Sequence, residues 1–196
     1  MEVMPAGALI SDRWILTAGR NLFVRKSRED IKGKGPVIPK VYLGITRRGE
    51  ADASTEVAVE KIVLHPRFQN QSDWDNDLAL IQLKKPVVMS NKVTPIPLPE
   101  AGQDLADTVG GSGAITGWGW GFLLTPATSL KYLVLPLANH SEWILSYDKA
   151  CSGNKYGVYM KISSYLPWIH RVMRGDTEQS SALRIDAMSK MYSWQS

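Results

Sequence analysis

Three residue types in this chain could together do chemistry: a serine, a histidine and a carboxylate. Ser112 lies between two glycines, His65 follows one apolar run, and Asp77 precedes another. Side chains of these types supply the nucleophile, the general base and the orienting acid of serine hydrolases. An active serine hydrolase is therefore one hypothesis, and it requires the fold to bring three distant positions together.

Thiol and metal chemistry have less support. Cys151 is the single cysteine, so no internal disulfide can form. No activating base stands beside it in the sequence, and we expect a free cysteine with no catalytic role. His65, His140 and His170 lack the spacing of metal ligands. We therefore expect no metal site, and we also expect no cofactor.

Composition indicates a folded globular protein. Of the 196 residues 44% are hydrophobic, and seven are Trp. A chain of this length and composition can form one domain with a sizeable core, or a slightly short two-barrel fold. The densest basic run, Arg25 to Lys34, also contains Glu29 and Asp30. We interpret it as a solvated loop and expect no nucleic-acid partner.

Nothing in the sequence predicts a membrane span or a signal peptide. No run of 18 apolar residues occurs, which is about the length that a transmembrane helix needs. The segment Met1 to Pro5 lacks the charged and apolar parts of a secretory signal. We expect no membrane partner.

Short apolar runs separated by turns predict mostly β-strands. Two strands are expected between Gly7 and Phe23, joined by a polar turn at 11–13. Other strands are predicted at 37–44, 57–64, 130–138, 142–151 and 156–162. A helix from Leu166 to Val172, capped by Ser163 or Ser164, is predicted next. Apolar residues from Leu183 to Tyr192 have helical spacing, which indicates a further, marginal helix.

The segments around Arg20 and Asp77 resemble a known family. Residues 14–21 read W-I-L-T-A-G-R-N, where chymotrypsin-like serine proteases of the trypsin family have W-V-L-T-A-A-H-C with the His as general base. Residues 75–83 read D-N-D-L-A-L-I-Q-L, similar to the family's D-N-D-I-A-L-L-x-L. The resemblance implies an all-β, trypsin-like double β-barrel. It places Arg20 at the position of the base and Asp77 at the position of the triad aspartate.

An arginine at the base position would end triad chemistry. A guanidinium stays protonated and cannot accept the proton of a serine. We therefore expect an ion pair between Arg20 and Asp77, with a structural role for Asp77. The resemblance also makes His65 a loop histidine of the scaffold. It places Ser112 in the first strand of the second barrel, ahead of the family's V-x-G-W-G.

Two later segments resemble the haptoglobins, a non-catalytic branch of the family that captures haemoglobin. Residues 130–138 read L-K-Y-L-V-L-P-L-A, and residues 144–151 read I-L-S-Y-D-K-A-C. The segment that should lie between them, with its nucleophile-serine loop, is absent, and the jump falls near Ser141 and Glu142. The resemblance implies a secreted pseudo-protease that binds haemoglobin. A truncated family product without binding activity is the alternative.

The resemblance also divides the chain. Residues 1–109 would form a nearly complete first barrel and the crossover, residues 110–174 an incomplete second barrel with a closing C-terminal helix, and residues 175–196 a tail. Two sequons, at Asn70 and Asn139, are candidate N-glycosylation sites in a secreted protein.

Overall fold

Short strands that pair antiparallel dominate the structure. The computed structural model describes residues 5–23, 35–69, 75–103, 111–119, 127–136, 143–147, 158–176 and 182–184. Within these ranges the strands are β1 (Gly7–Leu9), β2 (Trp14–Thr17), β3 (Val41–Tyr42), β4 (Glu56–Val57), β5 (Val59–Leu64), β6 (Ala79–Leu83), β7 (Ser112–Gly117), β8 (Lys131–Pro136), β9 (Trp143–Tyr147), β10 (Val158–Lys161) and β11 (Ala182–Arg184). One α-helix, α1 (Leu166–Met173), follows β10.

The largest sheet has the strand order β1-β2-β6-β5-β11. Its central strands are buried on both faces, since neighbouring residues of one strand belong to two different apolar clusters. The cluster on one face includes Trp14, Leu16, Val63, Leu80 and residues of α1. The cluster on the other face includes Leu9, Ile15, Ile62, Ile81 and Leu83. Apolar side chains on both faces explain why these strands read as nearly continuous hydrophobic runs.

Helix α1 covers one face of this sheet. Its buried side chains are Leu166, Trp168, Ile169 and Val172. The predicted helix is confirmed, but the predicted cap is wrong. The residues Ile162–Tyr165, which include both serines, form a 3₁₀ turn, and no side chain caps α1. Pro167 lies in the first turn of α1 instead, where its fixed φ favours the helix and its missing N–H leaves no unmet donor.

The remaining strands form three two-stranded ribbons, β3 with β4, β7 with β8 and β9 with β10. In the ribbon of β7 and β8, Ala114 is opposite Val134 and Thr116 is opposite Tyr132. Tyr132, Leu133 and Val134 are all more than half exposed. Among the residues that the structure describes, strand pairing closes no barrel.

The all-β prediction with a helix near the C-terminal end is confirmed, with two differences in detail. The strand predicted at 37–44 shortens to Val41–Tyr42, because Pro39 has no N–H to give to a ladder and because Gly44, at a φ of 69°, turns the chain at the other end. Leu183 lies in strand β11 rather than in a helix, since its backbone pairs with β5 whereas a short isolated helix is only marginally stable in water. The rest of the predicted tail helix lies outside the described residues.

Candidate functional site

The sheet register brings Arg20 and Asp77 to the same end of the central strands. Thr17, the last residue of β2, is directly opposite Ala79, the first residue of β6. The chain leaves β2 into the 3₁₀ turn Gly19–Leu22. It enters β6 through Asn76, whose φ of 53° lies in the left-handed region and makes a tight bend. Arg20, which lies three residues after the end of β2, therefore meets Asp77, which lies two residues before the start of β6.

Both carboxylate oxygens of Asp77 accept hydrogen bonds from Arg20. The backbone N–H of Arg20 donates to Oδ1 over 2.7 Å, and the guanidinium Nε donates to Oδ2 over 2.7 Å. The Asp77 side chain is fully buried, and that of Arg20 is only 15% exposed. Charge-assisted bonds of this length are among the stronger polar contacts in proteins. The expected ion pair between the two residues is therefore present.

Close packing surrounds this ion pair. A Cβ on Gly19 would lie 2.9 Å from two ring carbons of Phe68 and 3.3 Å from Asp77 Oδ1. The Phe68 ring also packs against Phe23, with centroids 5.5 Å apart. Only a glycine at position 19 allows both groups to come this near without displacement. The sequence pattern gave no sign of this contact, because Phe68 belongs to a different segment of the chain.

Side-chain hydrogen bonds also hold the turn that carries Arg20. Asn21 Nδ2 donates to Thr17 Oγ1 over 3.0 Å, and Thr17 Oγ1 donates to the Ala6 carbonyl over 2.8 Å. The backbone N–H of Asn21 donates to the Ala18 carbonyl over 3.0 Å. The position of Arg20 is therefore fixed through its neighbours as well as through Asp77.

His65 lies in the core rather than at a reactive surface. It is 6% exposed, and its ring packs edge-on against Trp168 at 4.9 Å and Tyr165 at 5.3 Å. Its Nδ1 accepts a hydrogen bond from the backbone N–H of Arg67 over 3.2 Å. Burial, together with the charges of Arg67 and Arg171, lowers the pKa of His65 to about 4.

These contacts do not suit a catalytic base. In the triad, the base donates its Nδ1 proton to the aspartate. A nitrogen that accepts from Arg67 carries no proton to donate. Ser112 is exposed at the start of β7, opposite Pro136. The atoms through which Asp77 and His65 would join a triad therefore have other partners. The carboxylate of Asp77 accepts from Arg20, and Nδ1 of His65 accepts from Arg67.

Several predicted site residues are not described. Asn70, Asn139, His140 and Cys151 lie outside the described residues. His170 is described and is exposed on α1. Over the ranges that the structure covers, no cluster of three or more His, Cys, Asp or Glu could hold a metal ion. Over the same ranges, no helix is long and apolar enough to cross a membrane.

Comparison with known proteins agrees with this geometry. The profile of the family described as "Trypsin" matches residues 2–143, which is more than half of the chain. The chain belongs to the trypsin family. Its fold is therefore a partial, trypsin-like double barrel, built of antiparallel strands with one helix. The match ends at Trp143, close to Ser141 and Glu142, where the resemblance places the jump in the sequence.

Individual relatives are haptoglobins and a complement component. Haptoglobin of Mesocricetus auratus is 29% identical over 88% of this chain and 64% of that protein. Haptoglobin of Homo sapiens is 26% identical over 84% of this chain and 52% of that protein. Complement C1s-1 subcomponent of Mus musculus is 26% identical over 86% of this chain and 32% of that protein. The chain therefore spans between about a third and two thirds of the length of these relatives, and it is a haptoglobin-like serine protease homologue.

Proposed function

We propose that this chain is a non-catalytic, haptoglobin-like member of the trypsin family that binds haemoglobin. The observation that carries the proposal is the buried ion pair between Arg20 and Asp77, with both N···O distances at 2.7 Å. The similarity to haptoglobins over more than four fifths of the chain supports the same conclusion.

The absence of catalysis follows from the chemistry of the pair. The base position holds a permanent cation, which can neither take a proton from a serine nor return one to a leaving group. The carboxylate, which would orient a histidine in an active enzyme, is bonded to that cation instead. The resemblance to haptoglobins also implies that the nucleophile-serine loop is missing near Ser141 and Glu142.

The partner follows from the similarity to haptoglobins, and one chromatography experiment tests it. The purified chain is mixed with haemoglobin and passed over a size-exclusion column, with haem absorbance recorded. Haem that elutes earlier together with this chain is the expected result. Myoglobin, a monomeric haem protein, serves as the control for non-specific association. Separate elution of haemoglobin and a compact chain would contradict the proposal.

An active serine hydrolase is the second candidate, because the chain belongs to the trypsin family and contains His65, Asp77 and Ser112. A fluorophosphonate probe distinguishes the two candidates, since it labels only activated serines. We expect no labelling of the intact chain. Labelling that is lost in Ser112→Ala would favour the hydrolase.

We also propose that the protein is exported and glycosylated, and that its chain has two barrel units and a tail. The protein is secreted, as a haemoglobin-binding plasma protein must be, and Asn70 and Asn139 carry N-glycans. Residues 1–109 form the first barrel unit, 110–174 the second, and 175–196 a separate tail. A truncated family product without binding activity is the alternative, and an aggregated, void-volume peak in the chromatography would favour it.

A further inference from the structure

A groove lies between strand β4 and the segment that follows β6. Its volume is about 630 Å³, which is within the range of small-molecule sites in proteins. Apolar side chains form most of its lining. Among the described residues that line it, Lys84 and Lys85 are the charged ones. A mostly apolar groove with a few polar groups has the usual composition of a small-molecule site.

The apolar lining is continuous with the core. Val88 belongs to this lining and is 88% exposed. A ligand with an apolar body would remove apolar area from water here, which favours binding. The lining residues that are partly buried and also pack against the apolar cluster on the sheet face opposite α1 are Leu43, Val57, Val87 and Val93.

Backbone hydrogen bonds hold both walls of the groove in place. On one wall, Val87 N–H donates to the Asp12 carbonyl over 2.8 Å. On the other wall, Leu43 N–H donates to the Thr55 carbonyl over 3.1 Å. The groove is therefore formed before a ligand binds, and a preformed site loses less conformational entropy on binding than one that must be ordered.

The two ends of the groove differ in charge. At one end, Lys84 N–H donates to the Ala58 carbonyl over 2.9 Å, so the lysine pair lies close to Ala58. Thr55 lies three residues earlier, which is about 10 Å at the rise of a strand. Next to it, Asp52 accepts hydrogen bonds from the Ser54 hydroxyl over 2.6 Å and from the Ser54 N–H over 2.8 Å, and these bonds lower the pKa of Asp52. That end is therefore negative, whereas the lysine end is positive.

No described lining residue neutralises the two lysines. Neither Lys84 nor Lys85 takes part in a salt bridge within the part of the chain that the structure describes. Glu56, the carboxylate of β4, lies between Thr55 and Val57, which both line the groove. Because successive side chains of a strand point to opposite faces, Glu56 faces away from the groove. The lysine end can therefore attract an anion.

We propose that this groove binds a small organic anion with an apolar chain, such as a medium-chain fatty acid. Its carboxylate binds at Lys84 and Lys85, away from Asp52, and its apolar chain lies along Val57 and Val93. Burial of apolar area supplies most of the affinity, and the lysines fix the orientation of the ligand. The groove shares no lining residue with the buried ion pair, and this site does not depend on haemoglobin binding.

Titration calorimetry of the full-length chain with octanoate tests the class of ligand. Octylammonium is the control, because it has the same apolar chain with the opposite charge. Octanoate should bind with a Kd below about 1 mM, and at least about tenfold more tightly than octylammonium. Failure of octanoate to bind in this range, or equal affinity of the two compounds, would overturn the proposal.

Removal of the two positive charges tests the anion-binding end. A variant that combines Lys84→Gln with Lys85→Gln should bind octanoate at least about threefold more weakly. Both side chains are exposed, so the variant should keep its fold. Lys40→Gln removes an exposed lysine that does not line the groove and should leave the affinity unchanged. Equal losses in the two proteins, or no loss in the double variant, would contradict the proposed anion site.

A second pair of variants tests the apolar wall. Val88→Ser removes apolar surface from the groove and should weaken octanoate binding by about two- to fivefold. Ile96→Ser makes a similar change at a side chain that is 61% exposed and does not line the groove, so it should have no effect. Unchanged affinity in Val88→Ser, or a loss in Ile96→Ser alone, would contradict the placement of the apolar chain.

Discussion

The central sheet and the ribbon of β7 and β8 both carry apolar side chains, but those side chains differ in burial. Ile62 and Leu80, in the sheet, have no exposed surface, whereas Tyr132 is 73% and Leu133 is 64% exposed in the ribbon. Short apolar runs predict a strand in both places. Burial also needs a covering element, which the sheet has in α1 on one face and in a second apolar cluster on the other.

This difference shows which part of the trypsin-like fold is well packed and can hold a buried site in place. The ion pair of Arg20 and Asp77 lies at the end of the well-packed sheet, where β2 pairs with β6. The ribbon lies within residues 110–174, which the family resemblance predicts to form an incomplete second barrel. Apolar strands without a complete barrel around them expose area that favours self-association.

Core truncation should separate the two regions most clearly. Leu80→Ala removes a fully buried side chain of β6 and should lower the free energy of unfolding by about 2–5 kcal/mol. Leu133→Ala, in the exposed ribbon, should change it by less than about 0.5 kcal/mol. Urea unfolding followed by tryptophan fluorescence measures both. Equal losses would mean that the ribbon is as well packed as the sheet.

Two glycines offer the next comparison. Gly19→Ala places a methyl group 2.9 Å from the Phe68 ring, so it should destabilise the protein by about 1–3 kcal/mol. Gly117→Ala, in β7, places its methyl group in open space and should be neutral or slightly stabilising. Thermal unfolding of both variants provides the test. A Gly19→Ala protein as stable as the unmodified one would show that Phe68 moves away at no cost.

The smallest expected effect is a pH dependence of the free energy of unfolding that arises from the buried His65. Because the folded pKa of His65 is about 4 and its unfolded value is about 6.5, the unfolded chain binds more protons between these values. Its contribution to stability is therefore complete above pH 6.5 and is lost as the pH falls towards 4. The loss should be about 1 kcal/mol between pH 7 and 5.5.

Two histidine variants test this assignment. His65→Phe should remove that part of the pH dependence, measured by urea unfolding at several pH values. His170→Gln, at the exposed histidine of α1, should leave it in place. A pH dependence that survives in His65→Phe and disappears in His170→Gln would contradict the assignment.

Local patterns predicted much of the sheet from the sequence. Strands β1 and β2, with the turn between them, follow directly from the alternation and the polar residues at 11–13. The pairing of Arg20 with Asp77 followed from the family resemblance, which places both at one site. These features depend on short segments or on a known motif.

Contacts between distant segments were not predictable in this way. The Phe68 ring against Gly19 depends on where a loop 49 residues later returns to the turn. The pairing of Leu183 with Ile62 depends on an edge that only the assembled sheet offers, whereas helical spacing indicated a helix at Leu183. Three-dimensional proximity decided both cases, and local sequence carries no signal for it.

A double-mutant cycle on Arg20 and Asp77 tests most directly whether the buried carboxylate now serves the fold. Arg20→Ala alone removes the guanidinium from the buried Asp77 carboxylate and should cost about 3–5 kcal/mol of unfolding free energy. With Asp77→Ala and the double variant, the cycle should give a coupling of about 1–3 kcal/mol. The exposed pair of Arg174 and Asp176 is the control and should couple by less than about 1 kcal/mol. Single losses at Arg20 and Asp77 that add to within about 0.5 kcal/mol would contradict the account.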